Sequence, residues 1–266
     1  MSIQGSSEWL TFIKNSKKSK KTGKFLAKDK YGVPVVLEWT MTGIRSSDYP
    51  QLMKSVSELA VSSYVPVEME FLKKYPNAVT EQDLYLKSFY PFFKNGIAAV
   101  DWNAVEEKLK SMLKTFYFGV ADLSIFAEEI IKVWEQDIYF FATVKDQATQ
   151  KLLGFRILSI SSGCAFGDTL GHSLAILSQE QNRGLGKLLM SSIFKIVPQV
   201  KRIFLITRIT NNTAYNAFQK WGFTKTLKPI DVFHFKFDEN HWTSLEYKTD
   251  NSNILQKVAE KFVNLD

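Results

Sequence analysis

The sequence predicts an α/β (α+β) fold in which helices flank a central sheet, and three observations carry that reading. Between residues 138 and 177 lie three short runs rich in β-branched and aromatic residues, 138–144, 152–160 and 170–177, separated by polar turns such as 145–150. Directly after them the period changes: Leu185, Leu188, Leu189, Ile193 and Ile196 share one face of a helix over 184–197, which Pro198 ends. Before them, residues 66–136 read as helical throughout, with Val105, Leu109 and Met112 following Asp101, and Ile125, Ile130 and Val133 further on.

The flanks extend the pattern. Residues 33–37 read as a first strand, with 39–44 continuing or pairing with it, and Ser46, Ser47 or Asp48 caps a helix running to about 63. After the helix at 184–197 come a strand at 202–209, a short helix at 212–220 and a late strand at 232–237. A length of 266 residues suits one domain with an elaboration. The expected organisation is a basic, flexible extension over 1–32, a domain over 33–240 with a helical insertion at about 66–136, and a helical C-terminal segment over 241–266.

Composition narrows the function classes. Most of the net charge of +7 sits in residues 1–34, where eight lysines face only Glu8 and Asp29. The rest of the chain is close to neutral, which argues against a nucleic-acid-binding body and reads the lysines as a solvated arm. The single cysteine, Cys164, leaves no intrachain disulfide and no multi-cysteine metal site; no metal is expected, and a reducing cytoplasm fits. No apolar run approaches the roughly 18 residues needed to span a bilayer, so no membrane partner is expected.

The segment that carries chemistry runs from Leu174 to Leu189: a strand, a polar loop and a helix with Gly184 and Gly186 at the junction. Glycines let the backbone approach an anion closely, the first amides of a helix lack acceptors, and the helix dipole favours negative charge there. Arg183 and Lys187 can add charge-assisted contacts. This is a phosphate cradle.

The spacing Gln181-x-x-Gly184-x-Gly186 resembles the signature of the GNAT N-acetyltransferases. Asn211-x-x-Ala214 and Trp221-Gly222-Phe223 are similar to that family's second conserved block, and Ile44-Arg45-Ser46-Ser47-Asp48 to its opening strand-to-helix turn. The resemblance covers roughly 35–237, strongest over 170–223. It implies a central mixed, mostly antiparallel sheet with splayed strands, and acetyl-coenzyme A as cosubstrate. Residue by residue it implies that Ile176, Leu177 and Ser178 bind pantetheine and acetyl through main chain. Gln181, Arg183, Gly184, Leu185, Gly186, Lys187 and Leu188 would hold the pyrophosphate, and Asn211 would touch the cofactor from the far side. Outside that resemblance, Ile176 and Leu177 read as sheet core and Asn211 as a helix cap.

Acetyl transfer to an amine needs the free base, yet a lysine-like amine has a pKa near ~10.4. The candidate proton acceptor is His172, because positions 172, 174 and 176 share one face of a regular strand; a bulge would spoil that parity. A histidine at the matching offset is implied by the arylalkylamine acetyltransferases of the same family, whereas Leu170 stands where several protein-lysine acetyltransferases carry a glutamate. Asp168 is a second candidate on a nearby turn. The tyrosine that the family places four residues before Gly222 is Phe218 here, and Tyr215, three residues earlier, is the replacement acid to consider beside its packing role.

The function expected from these residues is direct transfer of an acetyl group from acetyl-coenzyme A to a primary amine, of a small molecule or a protein lysine, in a ternary complex. The alternative is a regulatory or interaction protein that keeps a coenzyme A site with weak chemistry. The insertion, with aromatics such as Tyr85, Phe89, Tyr90 and Trp102, is expected to line the acceptor cleft.

Overall fold

A computed structural model describes residues 7–18, 21–80, 86–119, 135–161, 165, 167–226 and 239–265. In chain order these form α1 (Ser7–Lys18), β1 (Lys21–Lys28), β2 (Pro34–Thr42), α2 (Asp48–Lys74), α3 (Tyr90–Phe93), α4 (Trp102–Gly119), β3 (Ile138–Asp146), β4 (Leu152–Ile160) and β5 (Asp168–Ile176). They continue with α5 (Leu185–Ile196), β6 (Arg202–Arg208), α6 (Asn212–Lys220), β7 (Thr224–Lys225), β8 (Trp242–Lys248), α7 (Ile254–Ala259) and β9 (Val263–Leu265). Among the described residues the strands make one sheet in the order β7-β8-β6-β5-β4-β3-β2-β1-β9. Every neighbouring pair is antiparallel except β5 and β6. The sheet is therefore mixed and mostly antiparallel, as expected.

Strand alternation divides the core into two layers. Tyr139 and Phe141 of β3 face α2, with Met53, Val56 and Ala60. Phe140 and Ala142 face the opposite way, toward Leu189 and Ile193 of α5. The second half of α2 packs Val65, Phe71 and Leu72 against Phe89, Val105 and Leu109, so the insertion has a core of its own. A buried cation fastens α5 to the sheet: Arg156 of β4 donates from Nη1 to the carbonyl of Met190 at 2.9 Å.

Three boundaries differ from the sequence reading. Residues 21–28, assigned to the extension, form β1, which lies between β2 and β9. Its lysines at 21, 24 and 28 are exposed while Phe25 and Ala27 are buried, so a two-residue period was hidden under a basic composition. Of the two alternatives for residues 39–44, continuation of the first strand is the one found: both runs contribute to β2. Helix α2 continues past 63 to Lys74 with Pro66 inside it, because Val65, Met69, Phe71 and Leu72 gain more from burial than the missing amide costs. The C-terminal segment is strand, helix and strand, and β8 pairs with β6 along its whole length, so β8 and β9 belong to the same sheet. Ile125, Ile130, Val133, Tyr85, Cys164 and the strand expected at 232–237 lie outside the described residues. No helix among the described residues is long and apolar enough to cross a membrane.

Candidate active site

The sheet opens at one place. β5 and β6 pair only from Asp168–Gly171 to Arg202–Leu205, although β5 continues to Ile176 and β6 to Arg208. The closed end is tied by a two-pronged ion pair, Arg202 Nε to Asp168 Oδ1 at 2.7 Å and Nη2 to Oδ2 at 2.5 Å. That pairing occupies Asp168, which was considered as a base. Beyond it β5 bulges: Leu158 faces Gly171 and Ile157 faces Ser173, leaving His172 as the extra residue.

The alternation that follows decides which main-chain groups face the opening. Leu177 donates its N–H to Leu153 O at 2.9 Å and its carbonyl accepts from Glu180, so both of its groups are committed. Leu174 and Ile176 are in the opposite phase and turn their main-chain groups into the gap. Of the three residues expected to bind through main chain, Ile176 is available and Leu177 is not. Ser178 follows at the start of a short 3-10 turn, its carbonyl accepting from Gln181 at 3.4 Å. Leu174 joins the set that sequence reasoning missed.

Beside the gap lies the cradle. Gly184 adopts a left-handed conformation, φ 80°, that turns the chain into α5. Leu188 N–H, bonded to Gly184 O at 3.2 Å, is the first committed helical amide. Among the described residues the amides of Leu185, Gly186 and Lys187 have no acceptor. Gly186 is required for close packing: a Cβ there would lie 2.9 Å from the Trp221 ring. Gln181 is exposed at the loop entrance.

Arg183 serves the cradle differently from expectation. Its Nε donates to Asp29 Oδ2 at 2.7 Å and its Nη1 to Glu180 Oε2 at 2.5 Å, while Lys30 N–H donates to its carbonyl at 3.0 Å. Asp29 in turn accepts the amides of Tyr31 and Val33, and these contacts hold its carboxyl below the usual range against the opposing effect of burial. The β1–β2 turn thus braces the loop, and Arg183 is the rivet. Lys187 is the cation beside the open amides; partial burial and the nearby Lys261 both lower its pKa, as two like charges held together at a helix start would.

On the other face α2 crosses the gap. The Tyr64 hydroxyl donates to Leu174 O at 3.2 Å and accepts from Leu174 N–H at 2.9 Å. One turn later Glu68 takes Arg208 at the open end of β6, with Nε to Oε1 at 3.0 Å and Nη2 to Oε2 at 2.8 Å. Arg208 is sandwiched between the rings of Phe71 and Trp242, 4.0 and 3.7 Å from their centroids. In sequence these residues look like ordinary members of a helix next to a proline, so only their four-residue spacing could have hinted at a shared face.

The structure separates the two candidate catalytic side chains. The bulge turns His172 away from Leu174 and Ile176 onto the α2 face, where Nε2 shares a 2.6 Å hydrogen bond with Ser159 Oγ and the ring lies 5.8 Å from Tyr139. The expected common face of 172, 174 and 176 is therefore corrected. The ring is surrounded by protein yet reached by water, and crowding lowers its pKa from 6.5 to about 4. Tyr215 sits half-buried on α6 against the opposite layer, its hydroxyl accepting from Gln219 Nε2 at 3.0 Å. Phe218 is buried among Trp221 and Phe223. Asn211 caps α6, its Oδ1 accepting the Ala214 amide at 3.1 Å.

Two parallel strands parting inside an otherwise antiparallel sheet, with unpaired helix-start amides beside the parting, are the architecture that the acetyltransferase resemblance implies. Residues 94–223 match the acetyltransferase (GNAT) family. That assignment rests on the sequence match, since the superpositions on solved structures have TM-scores below 0.5. The PaiA N-acetyltransferase of Thermoplasma acidophilum, solved with coenzyme A, is 15% identical at TM-score 0.40, over 80% of this chain and 98% of its own. A GNAT family acetyltransferase of Elizabethkingia anophelis with acetyl-CoA bound is 19% identical at 0.32, over 46% and 83%. A nourseothricin acetyltransferase is 16% identical at 0.33, over 42% of this chain and 65% of its own. No curated protein matches the chain.

Proposed function

We propose that the protein transfers an acetyl group from acetyl-coenzyme A to a primary amine by direct attack in a ternary complex. The observation that carries this reading is the pairing of two main-chain edges that no strand or helix takes up: the amides of Leu185, Gly186 and Lys187, and the β5 edge at Leu174 and Ile176 left open by β6, where the Tyr64 hydroxyl holds Leu174. A diphosphate fits the first and an extended, amide-bearing pantetheine arm fits the second. The thioester supplies the activated acetyl group. Leu174 or Ile176 N–H can donate to the oxygen on which negative charge develops. Gln181, Ser178 and Leu188 would line the same path, and Asn211, whose Oδ1 caps α6, would reach the cofactor from the far side. Arg183 acts through Asp29 and Glu180 by holding the loop in shape, so its contribution is positional.

His172, neutral above about pH 4 and bonded through Nε2 to Ser159, is the side chain to which we assign the amine's proton on the α2 face. One observation favours a second reading, a coenzyme A-binding protein with weak chemistry: the buried phenyl ring of Phe218 offers no hydroxyl at that point of α6. Calorimetry with acetyl-coenzyme A, followed by thiol release across a panel of amines, separates the readings. Binding with release supports the transferase; binding without release on any amine supports the second reading; no binding ends both.

A further inference from the structure

We propose that Tyr64 is the phenol that protonates the departing thiolate, doing from α2 what α6 with its Phe218 cannot; the proposal rests on the acetyl-transfer reading above. Tyr64 belongs to a helix far in sequence from the glycine loop, yet its hydroxyl lies on the β5 edge within the gap. There it accepts the Leu174 N–H at 2.9 Å and donates to the Leu174 carbonyl at 3.2 Å. This donor-and-acceptor pattern is the one an extended amide chain presents to a strand edge, so the hydroxyl stands where such a ligand would pair.

The helix cannot carry the ring far when a ligand takes that edge. One turn before Tyr64, Ala60 is fully buried against the sheet, and one turn after it Glu68 grips Arg208 on β6. The phenol therefore yields by turning its ring, and it remains beside the atoms that replace it on Leu174. No other described phenol has this position: Tyr215 is engaged with Gln219 on α6, and Tyr49 and Tyr139 are buried against each other farther along the sheet.

In the step assigned to it, the acceptor nitrogen bonds to the acetyl carbonyl carbon and the carbon–sulfur bond breaks. The electron pair of that bond goes to sulfur, and Tyr64 gives sulfur its phenol proton. The proton shed by the attacking nitrogen is taken up by His172 and returns from there through water to the phenolate, restoring the phenol. Amine and thioester become acetamide and thiol, and no other reactant is consumed. A phenol with a pKa near ~10 is protonated across the physiological range and can serve a thiol near ~8.5.

The test is Tyr64→Phe, assayed for thiol release with the amine that serves the wild type, for acetyl-coenzyme A affinity by calorimetry, and for thermal unfolding. The expected result is a fall in kcat of at least ten-fold with the melting temperature retained. Affinity should be unchanged or higher, because the competing hydroxyl has left Leu174. The alkaline limb of the wild-type kcat profile, where the phenol loses its proton and the rate drops, should also vanish. Unchanged kcat with tighter binding would make Tyr64 only an occupant of the edge and would overturn the proposal, as would a loss of kcat carried by Tyr215→Phe instead. If the wild type binds acetyl-coenzyme A but releases no thiol, the transfer reading fails first and this one with it.

Discussion

The two sides of the β5–β6 gap are built from different materials. On the α5 side the groups on offer are main-chain amides, held by a left-handed glycine, a close helix–indole contact and the Arg183 rivet. On the α2 side they are side chains, Tyr64, Glu68, Arg208 and His172, brought together from three separate elements. The first side can bind what all coenzyme A thioesters share, because amides are indifferent to side-chain identity. The second must carry whatever is particular to this chain, including where protons go. Changes on the α5 side should therefore act on coenzyme affinity, and changes on the α2 side on rate, pH response and stability.

The largest expected effect breaks the α5 side alone. Gly184→Glu puts a carboxylate beside the open amides and a side chain on a φ of 80°, where an L-residue is strained by roughly 1–2 kcal/mol. Acetyl-coenzyme A affinity should fall by at least about 100-fold, the equivalent of ~2.7 kcal/mol, while far-ultraviolet circular dichroism keeps its wild-type shape. Wild-type affinity in calorimetry would remove the cradle from the site.

Next comes the α2 side, where the expected loss is of stability. Glu68→Ala leaves Arg208, 3% exposed at its side chain, charged and sandwiched between two rings with its carboxylate gone. Removing one partner of such a buried pair costs about 3–5 kcal/mol, which urea unfolding reads directly. Glu68→Gln, which keeps one acceptor oxygen, should recover part of it. Asp168→Asn at the closed end should cost less, about 1.5–3 kcal/mol for a charged hydrogen-bonded contact, because Arg202 is partly in water and can be rehydrated. Equal losses at the two ends would contradict the contrast between a buried brace and a half-exposed one.

The same contrast explains what could be read from the sequence. A main-chain edge leaves a mark in the residues that make it possible, so Gly184 and Gly186 marked the turn into α5 with its open amides, and the apolar run through Leu174 and Ile176 marked the strand beside it. A side-chain site assembled by a helix crossing the sheet leaves no such mark. Tyr64 and Glu68 fall around Pro66, which reads as a boundary, and only the tertiary packing of Val65, Met69 and Phe71 keeps that helix whole. Strand β1 was missed for a related reason: seven of its neighbours and members are lysines, and the inward pair Phe25 and Ala27 is too short a signal to stand out. His172 was legible as a titratable group near the gap, but its face depended on a one-residue bulge that no local pattern announces.

That bulge also sets the smallest effect. Because crowding holds the His172 pKa near 4 while an unfolded chain has it near 6.5, the unfolded state binds the extra proton throughout that interval. Acidification from pH 6.5 to 4 therefore favours unfolding, and the penalty is complete below pH 4. His172→Ala removes this contribution, so its melting temperature should fall less steeply than that of the wild type between pH 6.5 and 4, with the difference modest because water reaches the ring. At saturating amine the wild-type kcat should hold from about pH 5 to 8 and drop as the imidazole becomes protonated near pH 4. Loss of that acid inflection in the variant, together with a lower plateau, assigns the proton-accepting role to His172. A variant that keeps both the plateau and the inflection would leave His172 as a packing residue on the α2 face, and the contrast between the two sides would then rest on Tyr64 and the Glu68 brace.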